Sequence, residues 1–213
     1  MAAAVAIKFS KDPKPGLPKL KLQILLYPVL QAFDFSLPSY QEYPDRSSFC
    51  YIHKDVIVST VNMYAFQDKG NLDDLSKNKH VSKETRVKYR KFLDPDLLPV
   101  EIKERSRQIV PDDPIDQLAE MLLANLTNPY IYPIMATDDD LRKLPKTYIA
   151  ITEYDSLRDE GLIYAERLKR LIGSGSVELK YWIGLEHGLY NFYHYKYHSV
   201  AIDLLADYLK RNL

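Results

Sequence analysis

The sequence predicts an α/β fold built on a parallel sheet, from three observations. Apolar runs at 20–30, 148–152 and 177–185 read as buried strands. Helical patterns at 160–172 and 197–211 alternate with the last two runs, the rhythm of strand–helix–strand units. The second and third runs end on polar groups, Asp155 and Glu186-His187-Gly188, where α/β enzymes place their chemistry.

The elements follow in order. Residues 2–10 are alanine-rich and favour helix. Pro13, Pro15, Gly16 and Pro18 make 11–19 a loop. Pro28 stops the first strand. Residues 33–48, aromatic and broken by Pro38 and Pro44, read as a surface excursion. Val56, Ile57, Val61, Tyr64 and Ala65 give 53–66 a helical period. Residues 68–113 are charged and read as irregular. Asp113-Pro114 should open a helix, with aspartate as cap, proline in the first turn and a stripe of Ile115, Leu118, Ala119, Leu122, Leu123 and Leu126. Leu162, Ala165, Leu168 and Ile172 line the next helix, which Gly173 ends. Tyr197, Val200, Ala201, Leu204, Leu205, Tyr208 and Leu209 line the last, with Lys210 and Arg211 at its C-terminus.

The chain of 213 residues is long enough for one domain with a core. Lys plus Arg equals Asp plus Glu, at 29 each, so nothing in the charge calls for a nucleic-acid partner. Seventeen tyrosines suggest a surface only partly wet, since the ring buries while the hydroxyl stays hydrated. The single cysteine, Cys50, has no internal partner for a disulfide. No run approaches the roughly 18–20 apolar residues of a membrane span.

Asp155 and His187 lie one crossover apart, so both fall at the same sheet edge: two thirds of a hydrolytic triad. Asp159 competes for the acid role but reads as a helix cap, with Glu160 beside it in the first turn. His194 and His198 stand at i, i+4 but lack an obvious acidic third ligand, so a solvated surface is the better reading. Asp138-Asp139-Asp140 lacks the glycine and further carboxylates of a calcium loop and reads as a solvated loop. Asn125-Leu126-Thr127 is a candidate N-glycosylation site at Asn125, a pattern with a high chance rate. No serine stands in a Gly-x-Ser-x-Gly elbow; Gly173-Ser174-Gly175-Ser176 falls in the wrong chain order and reads as a turn.

Tyr27-Pro28-Val29-Leu30-Gln31, Leu37-Pro38-Ser39-Tyr40, Leu144-Pro145, Tyr154-Asp155-Ser156-Leu157-Arg158-Asp159-Glu160-Gly161 and His187-Gly188 occur in that order. Together they resemble the C-terminal half of arylacetamide deacetylase-like enzymes, in the hormone-sensitive-lipase branch of the α/β-hydrolases, across nearly the whole chain. The resemblance implies a partial α/β-hydrolase fold: a single unit, 1–213, with a lid-like insertion at 33–140 and parallel strands in the order 22–27, 147–152, 177–185. It implies a serine carboxylic ester hydrolase acting on lipophilic esters or amides, with Asp155 and His187 as acid and base and with no metal or organic cofactor. The nucleophile, oxyanion-hole segment and membrane anchor are expected upstream of Met1, so the chain alone should be inactive. The resemblance also implies the endoplasmic reticulum membrane, with the catalytic domain in the lumen. Thr152 stands where relatives often carry a cysteine, which removes one partner of a family disulfide. An alternative is a catalytically silent product that binds or regulates a partner.

Overall fold

The computed structural model describes residues 1–46, 48, 50–67, 71–105 and 113–213. Helix α1 spans Ala2–Lys11, and strand β1 spans Leu22–Leu26. Helices α2 (Lys54–Phe66), α3 (Leu72–Ser76), α4 (Lys83–Tyr89), α5 (Val100–Lys103), α6 (Asp116–Leu126) and α7 (Asp138–Leu141) follow. Then come β2 (Lys146–Tyr154), α8 (Arg158–Ile172), β3 (Val177–Glu186) and α9 (His198–Asn212).

The strands form one parallel sheet in the order β1-β2-β3, as the sequence predicts. Ile24 pairs with Tyr148 and Ile149 with Leu179. Alternation along β2 separates two cores. Ile149 and Ile151 face a cluster shared with α1 and α8, while Tyr148 and Ala150 face a smaller one with Ala201 and Tyr208 of α9. Gly161 lets α8 approach the sheet: a Cβ there would lie 2.7 Å from Ile151 Cγ2. Gly173, at φ +88°, ends α8 and donates to the Lys169 carbonyl.

The excursion read at 33–48 is on the surface only in its second half: residues 32–40 are buried, whereas 44, 45 and 48 are exposed. A buried loop is normally excluded because its backbone N–H groups find no partners. Here side chains supply them. Gln31 Oε1 accepts from Phe33 and Asp34, Asn78 Oδ1 from Phe35 and Asp34 Oδ1 from Ser36. Glu160 accepts from the Leu30 N–H and Asp159 from the Ser39 N–H. Position 47 of that reading lies outside the described residues.

The stretch 68–113 is not irregular where it is described; it holds α3, α4, α5 and two 3₁₀ turns, too short to show a period. Positions 68–70 and 106–112 of it lie outside the described residues. Helix α6 starts at Asp116 with Ile115 at its N-cap rather than on an Asp113 cap, and the Asp113 carboxylate pairs instead with Lys79 at 2.9 Å. Its Leu118, Ala119, Leu122 and Leu126 are buried as expected. Phe35, Phe66, Leu75 and Leu122 share one core cluster with Ile163 and Leu168 of α8. The aspartate triplet is the first turn of α7, not a solvated loop. Asp139 is exposed, but Asp140 is buried against Lys11 at 3.1 Å and Asp138 holds Arg167 at 2.7 Å.

Candidate active site

Parallel pairing brings the C-terminal ends of all three strands to one edge. Asp155 follows β2 and His187 follows β3. The imidazole Nδ1 lies 2.9 Å from Asp155 Oδ2, across 32 residues of chain. A carboxylate only accepts, so Nδ1 carries the proton and Nε2 keeps a free lone pair. The other Asp155 oxygen accepts the Leu157 N–H at 2.9 Å, which fixes the carboxylate plane. Thr152 Oγ1 stands 3.5 Å from Asp155 Oδ2, a polar neighbour to the carboxylate. Asp155 is 1% exposed, whereas the His187 side chain is 21% exposed. The carboxylate is sealed and the imidazole reaches solvent, an arrangement that would suit proton transfer to a bound molecule.

The end of β3 is shaped to present this histidine. Thr152 pairs with Trp182 but Tyr154 with Glu186, so β3 carries extra residues around Gly184. Gly184, at φ +75°, donates its N–H to Glu153 Oε2 at 2.7 Å. Such bulges re-aim side chains beside active sites.

Residues around the pair were not singled out by sequence reasoning. The Tyr27 ring lies 4.3 Å from the imidazole, centroid to centroid. Glu186, next to His187, binds Arg46 at 2.6 Å and also takes the Ser48 hydroxyl. Arg46 in turn lies over the Tyr154 ring at 3.7 Å. Tyr27 showed only as the residue before Pro28 at a strand end and as the start of the 27–31 motif, and Glu186 only as a polar end to the third run. Arg46 carried no signal, being 140 residues from Glu186.

Asp159 is not a solvent-facing cap. It is fully buried, paired with Arg158 Nε at 2.7 Å and accepting the Ser39 N–H at 2.7 Å. Arg158 also binds both Glu42 oxygens, at 2.8 and 3.1 Å. Burial opposes its charge, but the two carboxylates outweigh burial and hold the guanidinium firmly protonated. Glu160 takes the Leu30 N–H, the Gln31 amide and the Tyr40 hydroxyl. Burial nevertheless pushes its carboxyl up to about 8.

The remaining candidates lie elsewhere. His198 Nδ1 bonds the Leu189 carbonyl at 3.0 Å, and the His194 ring lies tilted against Tyr193. Among the described residues no group of three or more His, Cys, Asp and Glu is placed to hold a metal. Asn125 sits half-buried in α6, and its amide nitrogen, the atom a glycan would occupy, donates to the Ala65 carbonyl. Cys50 is a free, half-buried thiol. Among the described residues no helix is long and apolar enough to cross a membrane.

Residues 86–191, which include both Asp155 and His187, match a family model described as alpha/beta hydrolase fold. Over its whole length the chain is 32% identical to arylacetamide deacetylase from Bos taurus, covering 52% of that protein. It is 34% identical over 165 residues to arylacetamide deacetylase-like 3 from Homo sapiens, which takes in 74% of this chain and 38% of that protein. The chain therefore spans about half or less of the length of these relatives. Among solved structures, a Rhizomucor miehei esterase superposes with a TM-score of 0.61 at 20% identity, over 99% of this chain and 46% of its own. Carboxyl esterase 2 from Tuber melanosporum gives 0.60 at 19%, over 99% and 49%. The matched family model and these relatives agree: the chain has the α/β-hydrolase fold and is similar in sequence to the arylacetamide deacetylases.

Proposed function

We propose that Asp155 and His187 are the acid and base of a serine carboxylic ester hydrolase acting on lipophilic esters or amides. The observation that carries this is the 2.9 Å bond between His187 Nδ1 and a sealed Asp155, with the imidazole itself reaching solvent. In this role Asp155 holds the tautomer and stabilises the imidazolium, while Nε2 takes a proton from a nucleophilic hydroxyl and returns it to the leaving group. The relatives named arylacetamide deacetylase support the substrate class.

The hydroxyl is a serine outside these 213 residues, because the sequence holds no Gly-x-Ser-x-Gly elbow. The chain alone then forms no acyl-enzyme. Loss of oxyanion donors would cost a further 10²–10³-fold or so. Residues 33–140 act as the cap over the acyl site, and the full protein sits at the endoplasmic reticulum membrane with this region in the lumen.

Hydrolysis of p-nitrophenyl acetate tests the reading. The 213-residue chain should not exceed the buffer rate. Turnover by this chain alone that disappears in His187→Ala would contradict the external nucleophile. The loss in His187→Ala would still support the base.

A further inference from the structure

Asp155 grips the imidazole at one edge only. A ring held by a single edge bond can still rock about the Nδ1–Oδ2 line, and rocking swings Nε2 away from whatever it must reach. A second constraint has to act on the ring face. Tyr27 lies there, its ring centroid 4.3 Å from that of His187 and tilted by 42°.

Tyr27 is itself fixed at both ends. Its N–H donates to the Ala150 carbonyl at 2.8 Å, which carries the β1–β2 ladder one residue past β1. Its hydroxyl donates to Asn191 Oδ1 at 2.7 Å and accepts the Tyr190 N–H at 3.0 Å. Burial pushes this phenol up to about 12, so it keeps the proton that Asn191 accepts. The backbone at Tyr27 takes φ +35°, a region bulky residues rarely enter and one that marks functional sites when the surroundings enforce it. One ring thus ties the end of the first strand to the loop that follows His187.

We infer that Tyr27 is a positioning residue for His187, backing the imidazole face while Asp155 holds its edge. The inference rests on His187 being the catalytic base. Its chemical sense is that an aromatic face also attracts the imidazolium that forms when Nε2 takes up a proton.

The test is the exchange of the His187 Nδ1 proton with water, read by NMR on the ¹⁵N-histidine-labelled 213-residue chain. Tyr27→Leu should speed exchange about two- to fivefold, the factor a cation–π contact of ordinary strength is worth. Tyr27→Phe, which keeps the ring, should stay close to the parent. A purely structural role would lower the melting temperature of the Leu variant and leave the exchange of the folded form unchanged. Unchanged exchange in a folded Leu variant, or equal acceleration in Phe and Leu, would overturn the inference. If the Leu variant does not fold, Tyr27→Met decides, because it too removes the aromatic face while a flexible side chain fills the gap. Faster exchange is expected there too, and unchanged exchange overturns the inference. Asp155→Ala separates the two claims, because it leaves no side-chain oxygen to accept from Nδ1. A Nδ1 proton that persists in that variant refutes the Asp155–His187 pairing itself, whatever Tyr27 does.

Discussion

Asp155 and the Arg158-Asp159-Glu160 run belong to one short stretch, yet their surroundings are opposite. Asp155 meets a histidine that reaches solvent, and few groups compete for it. Three residues on, the side chains are wholly enclosed. They make bonds to Leu30, Gln31, Ser39, Tyr40 and Glu42 across more than a hundred residues of chain. The first region offers chemistry. The second holds a buried, irregular segment against α8 by satisfying its polar groups. The difference explains why neighbouring charged residues should respond so differently to substitution.

The largest effect is expected at Arg158. Arg158→Met strands the Glu42 and Asp159 carboxylates in the interior, which should cost about 3–5 kcal/mol by chemical denaturation. A loss below about 1 kcal/mol would mean that the clamp is dispensable.

Glu160 gives the pH signature of the sealed region. Its folded carboxyl titrates at about 8, above the ordinary value near 4.5. Between those values the folded state holds a proton that the unfolded state has lost. The stability contributed by this group is thus full below about pH 4.5 and falls until about pH 8, by up to roughly 1.4 kcal/mol per pH unit. Glu160→Gln should flatten the decline in denaturant midpoints between pH 5 and 8. An equally steep decline in the variant would place its source elsewhere.

Gly161→Ala should cost about 1–3 kcal/mol through the clash with Ile151, and Ile151→Ala should recover part of it. Additive losses in the double variant would show that α8 and β2 do not press on each other there. The smallest effect on stability should come from His187→Ala, within about 1 kcal/mol, because this side chain is partly exposed and holds no buried segment in place. Thermal melts that drop as far for His187→Ala as for Arg158→Met would erase the contrast between the two regions.

This contrast also explains what was legible in the sequence. The strands, α8, α9 and the Asp155–His187 pairing could be read because apolar periodicity fixes which residues face the core and parallel crossovers fix where strands end, whereas the strand order came from the family resemblance. The burial of 32–40 could not. Its polar residues look solvated until Gln31, Asn78, Asp159 and Glu160 are seen to serve its backbone, and those partners are remote in sequence. Asp159 was misjudged for the same reason: a carboxylate in a first helical turn reads as a cap unless a buried arginine is known to face it. The short helices between 72 and 103 carry too few turns to betray a period.

The central claim is that Asp155 and His187 work as one acid–base unit on ester substrates. The most direct measurement is kcat for p-nitrophenyl ester hydrolysis by a polypeptide in which these residues follow a Gly-x-Ser-x-Gly elbow, compared with its Asp155→Asn and His187→Ala variants. The account predicts a drop of about 10⁴-fold for Asp155→Asn and at least as much for His187→Ala. Retention of kcat within about tenfold in either folded variant would contradict it.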